Sequence, residues 1–297
     1  MNTSRRHCRQ LVVMPVGPDD NGADTIDSLL TYCTPEQVIL AVDDSRSEAT
    51  REFLETRDAR VVRLPSAGFP GIRGGLTVNL ARAYRHALAN YDFDVLLRID
   101  TDALITGRAP EEEAIARFSQ DARLGMLGLL KIGYDGTARD YGPIEDVLRD
   151  SMRWHGLRRV PRWIRMHRWT RAARAQGWVL GEHVLGAAVY LRPTLLKKMR
   201  AAGDLHLDVF HDSGISEDHL FSLITAARGF TMGEFGAPAG PMGVKWRGLP
   251  DTPARLLEAG MKVVHSIKFY EDMTEPEIRR YFAMARTGHV PSPCESA

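Results

Sequence analysis

"VLLRIDTDALITG", Val95 to Gly107, is the stretch whose reading decides the fold of this 297-residue chain. Val95, Leu96, Leu97 and Ile99 make a short apolar run that reads as a buried strand. The run ends in two carboxylates, Asp100 and Asp102, with one threonine between them. Residues i and i+2 point the same way while extended geometry lasts, so the pair can converge on one divalent cation. Hard oxygen ligands of this kind suit Mg²⁺ or Mn²⁺, which keep waters and bridge a diphosphate. An Asp-x-Asp is common by chance, and two acids in a solvated loop need no metal. The company the pair keeps decides between these readings.

Upstream, strands and helices alternate. "QLVVMPV", "QVILAV" and "ARVVRL" read as strands. "DTIDSLLTYC", "SEATREFLETR" (with Ser47 as N-cap) and "TVNLARAYRHALANY" have helical spacing between them. This alternation implies a mostly parallel sheet with helices on both faces, and such sheets bind ligands at the carboxyl ends of their strands. Polar groups gather at those ends: Asp19 and Asp20, then Asp43-Asp44-Ser45, then "PSAGFPGIRGG", then Asp100 and Asp102. The second half is less regular. "RLGMLGLLKIG" and "VLGAAVYLRP" read as strands, and "TLLKKMRAAG" as a helix. "SEDHLFSLITAARG" reads as a helix opened by Ser216 and closed by Gly229. "MKVVHSIKF" is a late strand, and "TEPEIRRYFAMARTG" a final helix with Thr274 and Glu277 spaced as a capping box. Residues 134–180 show no clear periodicity.

A formal net charge of +1 excludes a polyelectrolyte binder, so any anion-binding surface is local. The three cysteines, Cys8, Cys33 and Cys294, have neither disulfide-framework nor zinc spacing, which suits a reducing cytosol. The basic N-terminal lead precedes an apolar run too short for a signal peptide, and no stretch approaches the ~20 apolar residues of a membrane span.

The order of these motifs, over roughly Leu11 to Tyr270, resembles the GT-A family of nucleotide-sugar glycosyltransferases, in particular its inverting, family-2-like members. "LVVMPV" is similar to that fold's opening strand, and "VILAVDDSRSEAT" to its second, whose acid contacts the nucleoside; here that acid is Asp43 or Asp44. "IRGGLTVNLARAYRHAL" resembles the glycine-then-asparagine approach to the helix before the metal motif. "RIDTDALI" resembles the D-x-D itself and "SEDHLF" the later acidic motif. The resemblance implies a single GT-A-like domain over 1–297, with a mostly parallel, Rossmann-like central sheet. Its parts are a nucleotide-sugar-binding half (11–107), an Arg/Trp-rich insertion (134–180), an acceptor-side half (181–270) and a C-terminal helix and tail (271–297).

It also implies roles. The metal, Mn²⁺ or Mg²⁺, falls to Asp100, Asp102 and His265, the last ending the strand "MKVVH". The donor, a nucleoside-diphosphate sugar with UDP favoured, falls to Val16, Asp43, Asp44, Arg73, Asn79, Asp100 and Lys268. A metal there would neutralise the charge that builds on the leaving diphosphate. Asp218 is the expected base for the acceptor hydroxyl, assisted by Glu217. Two acids at a helix start also stabilise that terminus without any catalysis. Gly186 and Ala187 are expected to leave room for the acceptor, beside Glu217 and Trp246.

"RDSMRWHGLRRVPRWIRMHRWTRAAR", Arg149 to Arg174, holds nine arginines against one acid and three of the five tryptophans. Three binding readings compete for it: an anionic or lipid-linked acceptor, an acidic membrane surface, or nucleic acid. The structural alternative is an arm whose arginines pair with acids elsewhere. The leading expectation is thus a cytoplasmic, metal-dependent hexosyltransferase-like enzyme, with 149–174 as a candidate peripheral contact on the inner membrane face. A sugar nucleotidyltransferase is the enzymatic alternative, although "MPVGPDDNGADT" lacks its glycine-rich, arginine-bearing first loop. A nucleic-acid-binding protein is the other, and it leaves Asp100, Asp102 and Asp218 unused.

Overall fold

The computed structural model describes residues 5–18, 22–69, 74–153, 156 and 159–289. In chain order its elements are β1 (Arg6–Val16), α1 (Ala23–Tyr32), β2 (Gln37–Asp43), α2 (Glu48–Thr56), β3 (Val61–Pro65), α3 (Gly74–Asn90), β4 (Tyr91–Ile99), β5 (Ala103–Ile105), α4 (Pro110–Gln120) and β6 (Leu124–Gly128). There follow α5 (Gly142–Ser151), α6 (Val160–Arg174), β7 (Ala188–Leu191), α7 (Pro193–Ala201), α8 (Glu217–Ala227) and β8 (Thr231–Glu234). Last come β9 (Met242–Val244), α9 (Pro253–Glu258), β10 (Val263–His265), β11 (Phe269–Tyr270), β12 (Met273–Thr274) and α10 (Glu275–Arg286).

Seven strands form the central sheet in the order β3-β2-β1-β4-β7-β6-β8. All neighbours run parallel except β7, which is antiparallel to both β4 and β6. The chain winds outward from β1 to β3, then returns to place β4 on the other side of β1. The order therefore reverses between β1 and β4, and in an open α/β sheet a ligand crevice lies outside the carboxyl ends at such a switch point. Asp100 is the residue that follows β4.

Both faces of the sheet are covered because the central strands are apolar on both sides. Leu96 of β4 packs with Leu80 and Tyr84 of α3 and with Leu220 and Ile224 of α8. Val95, Leu97 and Ile99 belong to the opposite cluster, with Ile26 and Leu29 of α1 and Phe118 of α4. The local signals act as their chemistry requires. Ser47 accepts from the Thr50 amide at 3.2 Å, and Thr274 and Glu277 close a capping box on α10. Ser216 stands at the N-cap of α8 but spends its hydroxyl on Asp218.

Two expectations change. The late strand "MKVVHSIKF" shortens to β10, which pairs with β5 and β9 in a separate three-stranded sheet. The stretch without periodicity contains two helices, α5 and α6. The helix α6 escapes pattern reading because arginines interrupt its apolar stripe, and several of these are anchored by acids from other segments. Arg162 and Arg159 reach Asp212, and Arg168 reaches Asp204. Arg149 and Arg153 pair with Glu145 and Asp150 nearby. Trp169 is fully buried, stacks on Phe210 and donates its indole N–H to Asp204 at 3.0 Å. Asp204, itself fully buried, also takes the guanidinium of Arg228. Five of the nine arginines of this segment thus pair with acids; Trp154, His155, Leu157 and Arg158 lie outside the described residues. Trp169→Phe, which deletes the indole donor, should cost about 1–3 kcal/mol in urea unfolding. A loss near zero would remove α6 from the core. Among the described residues no helix is long and apolar enough to cross a membrane.

Candidate active site

The structure brings Asp100, Asp102 and His265 together: one ligand atom from each lies within 4.8 Å of the others. Asp100 and Asp102 occupy the tight turn between β4 and β5, and His265 ends β10, which pairs with β5 so that His265 stands opposite Ala103. The turn is fastened from four sides. The Asp100 amide donates to Ala187 O, and the Ile267 amide donates to Asp102 O, both at 3.0 Å. The Thr25 hydroxyl, buried on α1, lies 2.8 Å from both Thr101 O and Ala103 O. Arg279 of α10 donates to Thr101 O at 3.3 Å. At the start of α1, Gly22 (φ +71°) passes so close that a Cβ would sit 2.8 Å from the Met14 methyl and 3.0 Å from that of Thr101.

The chemistry of this donor set fits a cation. His265 Nδ1 lies 2.7 Å from Lys245 O, and a carbonyl only accepts, so Nδ1 holds the proton. In the neutral ring Nε2 then aims a lone pair at Asp102 Oδ1, 3.2 Å away. Two electron-rich atoms facing each other need a positive charge between them, either a second proton or a metal ion. Backbone locking of the distal ring nitrogen is also how metal-binding histidines are oriented. Burial pushes the Asp102 carboxyl up, but His265, the Ser266 hydroxyl at 2.8 Å and Lys268 outweigh it and hold it well below the usual carboxylate range. At Asp100 burial wins over the opposing pull of Arg98 and His265, and its carboxyl is raised.

Two cavities lie at the carboxyl ends of the sheet strands, on either side of β4 in the strand order, and neither is lined by Asp100, Asp102 or His265. One, of about 350 Å³, lies over the ends of β2 and β3, with Asp43, Asp44, Arg46 and Arg63 in its wall. The larger, about 540 Å³, is lined by Tyr134, Arg139, His183, Asp218, Lys245 and Trp246 among others. Lys245, whose carbonyl holds His265, belongs to its wall. Trp246 is 69 % exposed, with the Arg247 guanidinium 4.3 Å above its ring.

The remaining expected donor residues have these positions. Asp43 is buried, accepts from both the amide and the hydroxyl of Ser45, and pairs with Arg63 at 2.6 Å. Burial raises its carboxyl, but these partners outweigh burial and leave it lowered. Asp44 accepts from the Ser66 hydroxyl at 2.9 Å. Val16 is buried and accepts the Asp44 amide. Asn79 is buried and spends its carboxamide on the loop after β3, accepting from the Ala67 amide at 2.7 Å and donating to Phe69 O at 3.3 Å. Lys268 pairs with Glu275 at 3.2 Å. Arg73, like Asp19 and Asp20, lies outside the described residues.

On the acceptor side, Asp218 and Glu217 part ways. Asp218 lines the large cavity. Its Oδ1 accepts from the Ser216 hydroxyl at 2.7 Å and from the His219 amide at 2.8 Å. Burial raises its carboxyl, yet His219 and His183 with these hydrogen bonds leave it lowered. Both imidazoles are themselves pushed down by burial. His183, Asp218 and His219 also have ligand atoms within 4.8 Å of one another. A cation fits poorly there, because His183 Nε2 already faces the Arg139 guanidinium at 2.7 Å while Nδ1 donates to Gly181 O.

Glu217 is turned away from the large cavity and toward β4. There it meets Arg98, a buried residue that motif reading missed; the only signal was one charged residue inside the apolar run Val95 to Ile99. Gly186 does leave room, but the Glu217 and Asp218 side chains fill it: a Cβ at Gly186 would lie 2.8 Å from Glu217 Oε1 and 3.1 Å from Asp218 Cβ. Ala187 is buried, and its part is the carbonyl that holds Asp100.

No family model matches the chain, and no curated protein does. Solved structures do. The bifunctional glycosyltransferase WbbM, in its apo form, aligns over 96 % of this chain and 52 % of its own, with a TM-score of 0.51 at 10 % identity. The galactosyltransferase LgtC, in complex with donor and acceptor sugar analogs, aligns over 96 % and 98 % with a TM-score of 0.46 at 12 % identity. S. aureus TarS 1–349, in complex with UDP-GlcNAc, aligns over 84 % and 64 % with a TM-score of 0.44 at 15 % identity. The fold is the mixed α/β, mostly parallel architecture of GT-A glycosyltransferases, and the similarity to WbbM is one of fold. The chain spans about half the length of WbbM.

Proposed function

We propose that this chain is a metal-dependent glycosyltransferase that moves a sugar from a nucleoside diphosphate to an acceptor hydroxyl. The observation that supports this best is the Asp100–Asp102–His265 cluster at the switch-point edge of the sheet, with a cavity on either side of β4 in the strand order. The cavity at β2 and β3 suits the nucleoside, the one at Asp218 the acceptor. Asp100, Asp102 and His265 are the residues that would hold a divalent ion, which would supply Lewis-acid stabilisation to the diphosphate. The protein's own steps are positional and protonic. Asp218 takes the acceptor proton, the acceptor oxygen bonds to C1 of the sugar, and the C1–O bond to the diphosphate breaks.

Both hydrogen bonds to Asp218 described above fall on Oδ1, so Oδ2 is the oxygen we assign to the hydroxyl. A base in that place suits direct displacement, and inversion at C1 is the expected stereochemistry, to be read from the product anomer by NMR. Trp246 gives the acceptor an apolar platform. A nucleic-acid role loses support from α6, whose Trp169 lies in the core and several of whose arginines are paired.

The test is thermal stabilisation and donor hydrolysis over a panel of nucleotide sugars with and without Mn²⁺, against RNA as control. A site of this kind gains about 2.7 kcal/mol at a ligand concentration of 100 Kd. Stabilisation by a UDP-sugar with Mn²⁺ and none by RNA is the expected result. The reverse pattern sinks the proposal.

A further inference from the structure

We propose that Arg98 is a positioning residue that sets the metal ligand Asp100 and the base-bearing helix α8 against each other. The inference rests on the functional reading above. Arg98 lies within β4, where alternation carries it to the same face as Leu96 and beneath α8. Its side chain is 3 % exposed, and its single nitrogen Nη2 serves two carboxylates from different elements: Asp100 Oδ1 at 2.9 Å and Glu217 Oε1 at 2.8 Å. Glu217 opens α8 and is followed directly by Asp218.

This arrangement is poorly explained by stability. Burying a guanidinium is costly, and apolar residues of similar volume often do as well or better. Nε and Nη1 of Arg98 are buried without a hydrogen-bond partner among the described residues, so the two carboxylates at Nη2 alone offset that cost. What the guanidinium does achieve is a rigid link, through Nη2, between the turn that would hold the donor's diphosphate and the helix start that holds the base. One guanidinium cannot neutralise two carboxylates at once. When Asp100 shares its charge with a donor-side cation, it gives up part of its claim on Nη2. The guanidinium then settles on Glu217, which fixes the first turn of α8 and with it Asp218. The lack of a side chain at Gly186 lets Glu217 and Asp218 pack against its backbone.

The experiment uses the full chain and compares Arg98→Met, Arg98→Met/Glu217→Met and Glu217→Gln. Unfolding temperature, Mn²⁺ affinity by EPR, and kcat and KM with the best nucleotide sugar are read for each. Arg98→Met leaves two partly buried carboxylates without their cation and should unfold at lower temperature. The double variant removes that repulsion and should recover to within about 3 °C of the parent. Its kcat should still fall about 100-fold, the scale of a misplacement near 1 Å, while Mn²⁺ affinity and donor KM change by no more than about threefold. Glu217→Gln keeps an oxygen for Nη2 and should lose less than about tenfold in kcat.

Full turnover in the double variant makes Arg98 merely structural and overturns the proposal. So does loss of Mn²⁺ binding in step with turnover, which would make Arg98 part of the metal site. Equal inactivity of Glu217→Gln and the double variant overturns it as well, since Glu217 would then act as an acid–base group itself. A parent protein that binds no Mn²⁺ and turns over no nucleotide sugar fails the functional reading, and the proposal falls with it.

Discussion

Replacing Asp100 and Asp102 together by asparagine is expected to abolish Mn²⁺ binding and lower turnover by roughly 10²–10³, the worth of a preorganised stabiliser of transition-state charge. The fold should survive, because neither carboxylate belongs to the core. Arg98 keeps Glu217 as its partner, so the buried charge beside β4 becomes better balanced. Asparagine at 102 can still accept the Ser266 hydroxyl through its carbonyl oxygen. The decisive comparison is the rise in unfolding temperature on adding Mn²⁺, present in the parent and absent in the variant, with equal unfolding temperatures before addition. A double variant that keeps Mn²⁺-dependent turnover would show that these carboxylates do not hold the metal.

Asp218→Asn separates transfer from donor binding. Asparagine keeps the acceptor oxygen that Ser216 and the His219 amide use, so the start of α8 should not move. Losing the basic oxygen should lower transfer by roughly 10²–10⁴ while KM for the nucleotide sugar holds. The pH profile adds a second reading. Burial raises the Asp218 carboxyl, but His219, His183 and the hydrogen bonds from Ser216 and the His219 amide outweigh it and hold Asp218 below the ordinary aspartate value. A base must be ionised to act, so its activity is present above its pKa and lost as pH falls through it. The acid limb assigned to this group should therefore lie below about pH 3.9, the value of a free aspartate, or be hidden by acid unfolding. Weakened donor binding with normal transfer at saturation would move Asp218 to the donor side.

Much of the fold was legible because its signals are local. The apolar runs of β1, β2 and β4, the Ser47 cap and the Thr274–Glu277 box need only neighbours in sequence. The candidate site was legible where a motif sits at the end of an element: Asp100 and Asp102 by spacing, Asp218 by its helix start. What escaped was long-range. The helix α6 hides its register because Trp169 and Arg162 answer to Asp204 and Asp212, 35 and 50 residues away. Arg98 looked like a blemish in a strand until Glu217, 119 residues later, came to lie against it.

By itself the sequence determined the alternating α/β order, and with it an edge where strand-end acids must gather, since hydrophobic periodicity is a property of each segment alone. The tertiary structure decided which of those acids meet. Closing β10 onto β5 brings His265 to the Asp-x-Asp turn, and packing α8 on the face of β4 sends Glu217 inward to Arg98 and leaves Asp218 at the cavity. The physical reason is that charges in a shielded interior must find partners through space, and the chain pattern carries no record of which partner the packing will deliver.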